Sequence, residues 1–292
     1  MLSGRLGLDT ARIPHGDRHG LLWLSRGNLY VHDGCVRFAA ASGSELPAGD
    51  YGIPFQTVSL VLLGPGTSVT HDVLRLCARH GTGVLAVGTD GVRCYSAPPL
   101  TSDQSDYARA QVRLWGDLNG GRMLVARKLY ALRLGEVLPQ NDIETLRGIE
   151  GARMKESYQR IAQQFGIAWS GRRYDRQNPL SDDAPNQAIN HAATAVEGAA
   201  MIAVAATGTI PALGFIHESS GIAWTLDIAD LFRTEVTVPV AFGAVRACHA
   251  EPDVPLERHV RRLAGKAFRE QRLIPRMIDR IKEALDVGGG LT

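Results

Sequence analysis

The sequence predicts an α+β protein, in which a β-rich N-terminal domain with one helix precedes a larger all-helical C-terminal domain. The first hundred residues hold short apolar runs separated by Gly, Pro and Asp-Gly turns, which is the pattern of strands. Beyond about residue 103, apolar residues recur three and four positions apart, as on one face of a helix. Strands and helices that are separated along the chain favour the α+β class.

The 292 residues exceed the usual size of one domain, which is about 100–200 residues. Residues 97–102 (APPLTS) are the best linker candidate, because proline disfavours both helices and central strands. We therefore predict a β-rich domain over residues 1–98, a linker over 99–104 and a helical domain over 105–292.

Turn residues locate the elements of the β-rich domain. Asp33-Gly34 and Asp90-Gly91 each lie between apolar runs, and such dipeptides favour hairpin turns because they tolerate positive φ. We therefore predict hairpins over residues 29–38 and 84–95, with one intervening helix that ends at Gly81.

Helical spacing predicts several helices in the second domain. The last of them contains Pro275, which should kink or split it. The predicted helical stretches are 103–133, 141–165, 183–206, 225–233, 239–249 and 256–287.

The composition excludes several classes of protein. Hydrophobic residues make up 45% and charged residues 21%, as in ordinary globular proteins. The longest apolar stretch, 198–210, is shorter than the roughly 18 residues of a membrane span and suits a buried helix. The N-terminus lacks the apolar core of a signal peptide, and the four cysteines show no CxxC spacing, which argues against a zinc site. We expect a cytoplasmic protein that does not bind membranes.

The net charge of +2 conceals a basic C-terminal region, since residues 255–282 hold 9 Lys or Arg against 3 acids. Arg258, Arg262, Lys266 and Arg269 fall on one stripe of the last helix. Like charges on one stripe favour an anionic partner such as DNA. A solvated helix face is the alternative.

Asp227 and Asp230 lie three residues apart in an apolar stretch that is predicted to be helical, so both can face the same way. Two such carboxylates raise each other's proton affinity unless a cation neutralises them, and a divalent metal would do so. The alternative is that Asp227 caps the helix and Asp230 points to solvent.

His217 and Glu150 are further candidates for the same site. His217 follows an apolar stretch at a Gly/Ser turn, and imidazole with carboxylates is a common ligand set for Mn²⁺. Glu150 lies in a helical pattern between Gly148 and Gly151. Each glycine destabilises a helix interior by about 1 kcal/mol, which suggests that another backbone or a ligand approaches closely there. The alternatives are a structural histidine and an exposed acid with ion-pair neighbours.

The loop from Trp169 to Arg176 combines aromatic rings with guanidinium groups. Trp169 and Tyr174 offer rings that stack on unpaired bases, while Arg172 and Arg173 can hold phosphates. A solvated surface loop is the alternative.

Four ordered motifs together resemble one known family. The chain is similar to the CRISPR-associated endonuclease/integrase of the spacer-acquisition (adaptation) complex, subtype I-E. The motifs are 146–151 (LRGIEG), 169–175 (WSGRRYD), 214–217 (GFIH) and 227–230 (DIAD), with further similarity at 64–71, 91–93 and 251–253.

The resemblance implies a metal-dependent enzyme that inserts short foreign DNA fragments into a CRISPR array by 3′-hydroxyl transesterification, as part of antiviral defence. It implies a homodimer formed through the β-domain, which also contacts the duplex, and a hetero-hexamer with a small ferredoxin-like adaptation subunit. The family's metal ligands map onto Glu150, His217 and Asp230, which would hold Mg²⁺ or Mn²⁺, and Asp227 maps onto a further catalytic carboxylate.

The resemblance also implies contacts with DNA. Relatives have a tyrosine in the first hairpin that helps to splay the duplex ends, whereas this chain has Arg26, which can still stack on a base. The DNA-binding candidates are Arg75, Arg93, Arg172, Arg173, Tyr174, Arg233 and Arg262. Two other functions stay open: a stand-alone metal-dependent nuclease acting on branched or damaged DNA, and a non-catalytic DNA-binding scaffold.

Overall fold

The structure is a computed structural model that describes residues 20–43, 46–95, 106–173 and 183–285. The described residues form two compact units. The first unit runs to Gly88 and takes in Tyr95, residues 106–108 and residues 205–209, and the second contains the rest. The predicted linker over 99–104 lies outside the described residues.

The first unit contains two sheets and one helix. A three-stranded parallel sheet has the order β1-β5-β7, and a mixed four-stranded sheet has the order β4-β3-β2-β6. Leu24, Leu29, Phe38, Val61 and Val73 contribute to their shared core. The elements are β1 (Leu21–Leu24), β2 (Gly27–His32), β3 (Cys35–Ala40), β4 (Gly49–Gly52), β5 (Leu60–Leu63), β6 (Thr67–Val69), α1 (His71–His80) and β7 (Gly83–Ala86).

The hairpin predicted at Asp33-Gly34 is confirmed. Strands β2 and β3 pair antiparallel with His32 opposite Cys35, so the turn has two residues. Asp33 has φ 49° and Gly34 has φ 73°, as a two-residue turn between right-twisted strands requires. The turn residues in the sequence therefore predict the register of β2 and β3 correctly.

The hairpin predicted at Asp90-Gly91 is confirmed only in part. The chain turns back there, and the backbone N–H of Tyr95 donates to Ala86 O at 2.8 Å, but residues 92–95 form no regular strand. Strand β7 pairs in parallel with β5, and residues Thr89–Gly91 form a short 3₁₀ turn. Asp90 does adopt positive φ (57°), but its carboxylate pairs with Arg269, and it packs against Gly265. The dipeptide thus also makes contacts with a helix of the second unit, to which residues 89–94 belong.

The remaining helices confirm the predicted α+β class. The predicted stretch 103–133 divides into two helices, and the basic C-terminal stretch divides at Arg272, which has φ 49°. Pro275 lies in the first turn of the last helix, where its missing N–H costs nothing, so the break precedes it. The helices are α2 (Asp106–Gly116), α3 (Gly121–Leu134), α4 (Ile143–Phe165), α5 (Ala184–Thr207), α6 (Ala223–Asp230), α7 (Val238–Ala250), α8 (Leu256–Glu270) and α9 (Leu273–Leu285).

Helix α5 is long and apolar enough, by length and composition alone, to cross a membrane. However, 61% of its most apolar window is buried inside the fold, as in the core helix of a folded domain. Ala192, Ala195, Ala199 and Ala203 are all fully buried in it. Small side chains allow other elements to approach this helix closely, so its apolar character reflects its central position.

Candidate active site

Three helices bring Glu150 and Asp230 to one place around Arg133. Glu150 lies in the middle of α4, Asp230 is the last residue of α6, and Arg133 is near the end of α3. The Arg133 Nη2 atom lies 2.5 Å from Glu150 Oε1, and its Nη1 atom lies 3.3 Å from Asp230 Oδ2. The Arg133 side chain is 8% exposed, so this bridge is shielded from water.

His217 reaches the same place from the segment that precedes α6. Its Nε2 atom lies 4.0 Å from Asp230 Oδ2. Its other ring nitrogen, Nδ1, lies 2.7 Å from Asp227 Oδ1. Because a carboxylate oxygen accepts a hydrogen bond there, the pair favours the tautomer with hydrogen on Nδ1 and a free lone pair on Nε2.

Asp227 is buried, and it anchors the segment that carries His217. Its Oδ2 atom accepts hydrogen bonds from the backbone N–H groups of Phe215 (2.6 Å) and Ile216 (3.1 Å). Its Oδ1 atom accepts one from the backbone N–H of His217 at 3.0 Å. The structure thus places Asp227 behind the histidine, whereas Glu150, His217 and Asp230 are close to Arg133.

Side chains from α2 and α3 hold the rest of that segment. Gln111 is fully buried; its Oε1 atom accepts from Ile210 N at 2.7 Å, and its Nε2 atom donates to Leu213 O at 2.9 Å. Trp115 Nε1 donates to Gly214 O at 3.0 Å, and Arg122 Nε donates to the next carbonyl at 3.1 Å. These supports were missed in the sequence, because nothing in the local pattern links them to a segment about a hundred residues away.

Burial and neighbouring cations set the proton affinities of the site in opposite directions. Burial raises the pKa of Glu150 above its usual value, and the opposing effect of Arg133 is too small to reverse this. Burial alone would raise the pKa of Asp230. The neighbouring Arg233, Arg133 and His217 outweigh this effect, so the pKa of Asp230 lies below its usual value. The hydrogen bond to Asp227 raises the pKa of His217. Environments that separate carboxylate pKa values are typical of catalytic sites.

Arg233 contacts the site directly. Its Nε atom lies 3.0 Å from Asp230 Oδ1, and a terminal nitrogen also pairs with that oxygen. Arg233 begins a π-type turn, Arg233–Thr237, which joins α6 to α7. Single π-type turns recur at functional sites. Both oxygens of Asp230 therefore face a guanidinium group.

Five of the other predicted DNA-binding residues have partners within the chain. Arg75 pairs with Asp72, Arg93 with Glu257 and Arg262 with Glu251. Arg172 donates to Asn186 and Asn190, and the backbone N–H of Arg173 donates to Asn186. These contacts do not involve Glu150 or Asp230. Tyr174 lies outside the described residues.

The basic stripe predicted on the last helix lies on α8. Lys266 pairs with Glu270 and Arg269 with Asp90, in addition to the pair of Arg262. Arg258 is exposed. Acidic neighbours therefore lower the excess positive charge that the sequence suggested for this face.

The close approach predicted at Gly148 and Gly151 finds no protein partner among the residues that the structure describes. A Cβ atom added at either glycine would meet none of their atoms within 4 Å. Both glycines lie on exposed positions of α4. Packing against the described residues therefore does not explain why the helix contains these two destabilising glycines.

The donor set around Arg133 has the chemistry of a divalent-metal site. Two carboxylates could supply hard, charged oxygen ligands, and His217 Nε2 could supply a nitrogen ligand. Asp227 orients that imidazole from behind, as carboxylates do for metal-bound histidines. Across the part of the chain that the structure describes, no three His, Cys, Asp or Glu side chains are close enough as they stand to share one ion. Arg133 lies between the two carboxylates.

Known proteins resemble the chain over nearly its whole length. The sequence profile of the family described as CRISPR associated protein Cas1 matches residues 125–253. The CRISPR-associated endonuclease Cas1 of Geobacter sulfurreducens is 37% identical over 280 residues, which cover 95% of this chain and 88% of that protein. The chain belongs to the Cas1 family of CRISPR-associated endonucleases. A second Cas1 endonuclease, from Methanospirillum hungatei, is 36% identical over 96% of this chain and 91% of its own length.

Solved structures of the Cas1 family share this fold. The structure of a TtCas1–DNA complex superposes with a TM-score of 0.82 and 32% identity, over 94% of this chain and 98% of that chain. A casposase bound to its integration product has a TM-score of 0.61 at 13% identity, over 92% of this chain and 96% of that one. The casposase thus shares the fold with this Cas1 family member.

Proposed function

We propose that this Cas1 family protein is a metal-dependent DNA endonuclease and integrase that inserts short foreign DNA fragments into a CRISPR array. A fragment's 3′-hydroxyl would attack a phosphodiester in the repeat and displace another 3′-oxygen. The observation that carries the proposal is that Glu150 and Asp230, 80 positions apart, share Arg133 while His217 Nε2 lies 4.0 Å from Asp230. The relatives named as CRISPR-associated endonucleases support the endonuclease part of the proposal.

Glu150, His217 and Asp230 would hold Mg²⁺ or Mn²⁺. When bound, such an ion polarises a phosphoryl oxygen and stabilises a leaving oxygen. Asp227 keeps hydrogen on Nδ1 of His217, so the Nε2 lone pair stays available as a ligand. Arg233 keeps Asp230 ionised, because its guanidinium pairs with the Oδ1 atom in a mostly buried place.

The assembly is also part of the proposal. The protein would act as a homodimer, and two dimers would bind a dimer of a small ferredoxin-like adaptation subunit, as in subtype I-E. The solved TtCas1–DNA complex supports DNA as a ligand of this fold. Sedimentation of the purified protein with and without the partner subunit tests this assembly. A monomer that does not bind the partner subunit would contradict it.

The catalytic assignment is tested by Glu150→Gln, which removes the charge but keeps the side-chain volume. Glu156→Gln is the matched control, because Glu156 is an exposed glutamate on the same helix. Labelled fragments and a repeat-containing plasmid are incubated with Mn²⁺, with and without the partner subunit. We expect Glu150→Gln to lose strand joining by at least about a hundredfold while DNA binding persists, and the control to retain both.

The same assay separates the other two functions. Cleavage without joining, in the presence of the partner subunit, would favour a stand-alone nuclease. Joining that survives Glu150→Gln would remove the catalytic assignment. DNA binding with neither cleavage nor joining in the unmodified protein would favour a scaffold.

A further inference from the structure

Arg133 occupies the centre of the candidate site, although no motif in the sequence points to it. Its two terminal nitrogens contact different carboxylates: Nη2 lies 2.5 Å from Glu150, and Nη1 lies 3.3 Å from Asp230. The side chain is 8% exposed, and its Nε atom is buried without a hydrogen-bond partner. Burial of the charged guanidinium is therefore compensated chiefly by its ion pairs with the two carboxylates.

A divalent cation bound at this site would compete with Arg133 for carboxylate oxygen atoms. A metal ion would have to approach the carboxylate oxygens to about 2.0–2.2 Å, which is closer than a guanidinium nitrogen can come. Glu150 Oε1 and Asp230 Oδ2 already face Arg133, and Asp230 Oδ1 faces Arg233. An ion that binds Glu150 Oε1 or Asp230 Oδ2 therefore displaces Arg133 from that oxygen.

We propose that Arg133 is a built-in competitor of the metal: it holds Glu150 and Asp230 together before the ion binds and releases at least one of them when the ion enters. The inference rests on the proposed function, because it takes Glu150 and Asp230 as the ligands. Arg133 positions the two carboxylates in the metal-free protein and weakens the affinity for the ion. Metal binding is thereby coupled to a movement of one side chain on α3.

The test measures Mn²⁺ binding directly, by the electron paramagnetic resonance signal of free Mn²⁺, so it does not depend on activity. In Arg133→Met the stem remains but the competitor is gone, and we expect the Kd for Mn²⁺ to fall about tenfold. The metal-free variant should melt at a lower temperature, and saturating Mn²⁺ should raise its Tm by more than it raises that of the unmodified protein. Arg280→Met is the control, because Arg280 pairs with the partly exposed Glu283 on the same helix.

A purely structural role for Arg133 predicts the opposite change, since a disordered site binds Mn²⁺ more weakly. An unchanged or raised Kd in Arg133→Met overturns the proposal. If that variant does not fold, Arg133→Lys keeps one charge but loses the two-pronged contact, and a Kd that fails to fall there also overturns it. If Mn²⁺ binding requires Glu150 but its Kd does not change when Arg133 is replaced, only this inference fails. If the unmodified protein binds no Mn²⁺, the proposed function fails with it.

Discussion

The carboxylate of Asp227 lies 2.7 Å from Nδ1 of His217 and fixes which ring nitrogen faces the site. The same carboxylate accepts the backbone N–H groups of Phe215, Ile216 and His217. One buried side chain therefore sets both the path of the segment and the tautomer of its histidine. Asp227 and Asp230, which look alike in the sequence, have different roles.

Asp227→Asn should weaken both stability and metal binding. The amide keeps the volume but presents N–H groups to donors, so we expect a loss of about 2–4 kcal/mol in the free energy of unfolding. The new amide would donate to Nδ1 and force hydrogen onto Nε2, so the Kd for Mn²⁺ should rise about 10–100-fold. Urea unfolding and Mn²⁺ titration measure the two effects.

Asp279→Asn is the control for this prediction, because Asp279 is an exposed aspartate on α9. It makes the same chemical change without removing an acceptor from buried N–H groups. Equal behaviour of the two variants would show that the hydrogen bonds at Asp227 contribute nothing to the site.

Gln111→Met should destabilise the protein through the segment that leads to His217. The substitution keeps the length of the side chain but leaves Ile210 N without its acceptor and two carbonyls without their donor. We expect a loss of about 2–3 kcal/mol in the free energy of unfolding. Hydrogen exchange at residues 210–217 should also become faster. Gln159→Met on the exposed face of α4 serves as the control, and a similar loss there would contradict the prediction.

The sequence predicts the helices well where their apolar spacing is regular, as in α4, whose predicted range 141–165 contains the observed Ile143–Phe165. It predicts the Asp33-Gly34 hairpin fully and the Asp90-Gly91 hairpin only in part, since the dipeptide indicates positive φ and not whether a regular strand follows the turn. Both turns satisfy the same local chemistry. Only a contact with α8, 175 positions along the chain from Asp90 to Gly265, distinguishes them.

The glycines of two helices should respond in opposite ways to alanine. Gly148→Ala on α4 places a methyl group where none of the described residues has an atom within 4 Å, so we expect a gain of about 0.5–1 kcal/mol in stability. Gly265→Ala on α8 drives Cβ into the carboxylate of Asp90, well inside van der Waals contact, so we expect a loss of about 1–3 kcal/mol. Thermal unfolding of the two variants checks both signs, and a stabilising Gly265→Ala would contradict the packing at Asp90.

The thiol of Cys77 should be almost unreactive in the folded protein. Burial raises its pKa to about 11, so at pH 8 only about one thiol in a thousand is ionised. Cys35 is exposed and provides the internal comparison, in a variant whose Cys94 and Cys248 are replaced by alanine. Maleimide labelling followed by mass spectrometry should show Cys35 reacting at least about a hundredfold faster. Equal rates would mean that Cys77 is not buried.

The pKa of Cys77 also predicts a dependence of stability on pH. The thiol is neutral in both states below its ordinary pKa of 9.0, and the stability is then fully present. Above that value the unfolded chain loses the proton while the folded chain keeps it up to about pH 11, so stability falls as the pH rises through this range. Urea unfolding measured between pH 8 and pH 10 should show a smaller fall in stability for Cys77→Ala than for the unmodified protein. A difference of less than about 0.3 kcal/mol between the two falls would contradict the prediction.

The candidate site could be predicted only in part from the sequence. Carboxylates and a histidine in an apolar setting suggest Glu150, His217 and Asp230, and the structure places them close together. Arg133 and Gln111 carry no such signal. An arginine near a helix end and a glutamine on a helix are ordinary in sequence, and their roles arise from partners up to 97 and 102 positions away.

Three consecutive amide groups that point at one spot form a concave cradle for an anion. In this chain the cradle formed by residues 215–217 is filled by a carboxylate from the protein itself. An anion from outside the chain, such as a phosphate, cannot take that position without expelling Asp227. The backbone of this segment therefore has a purely architectural task.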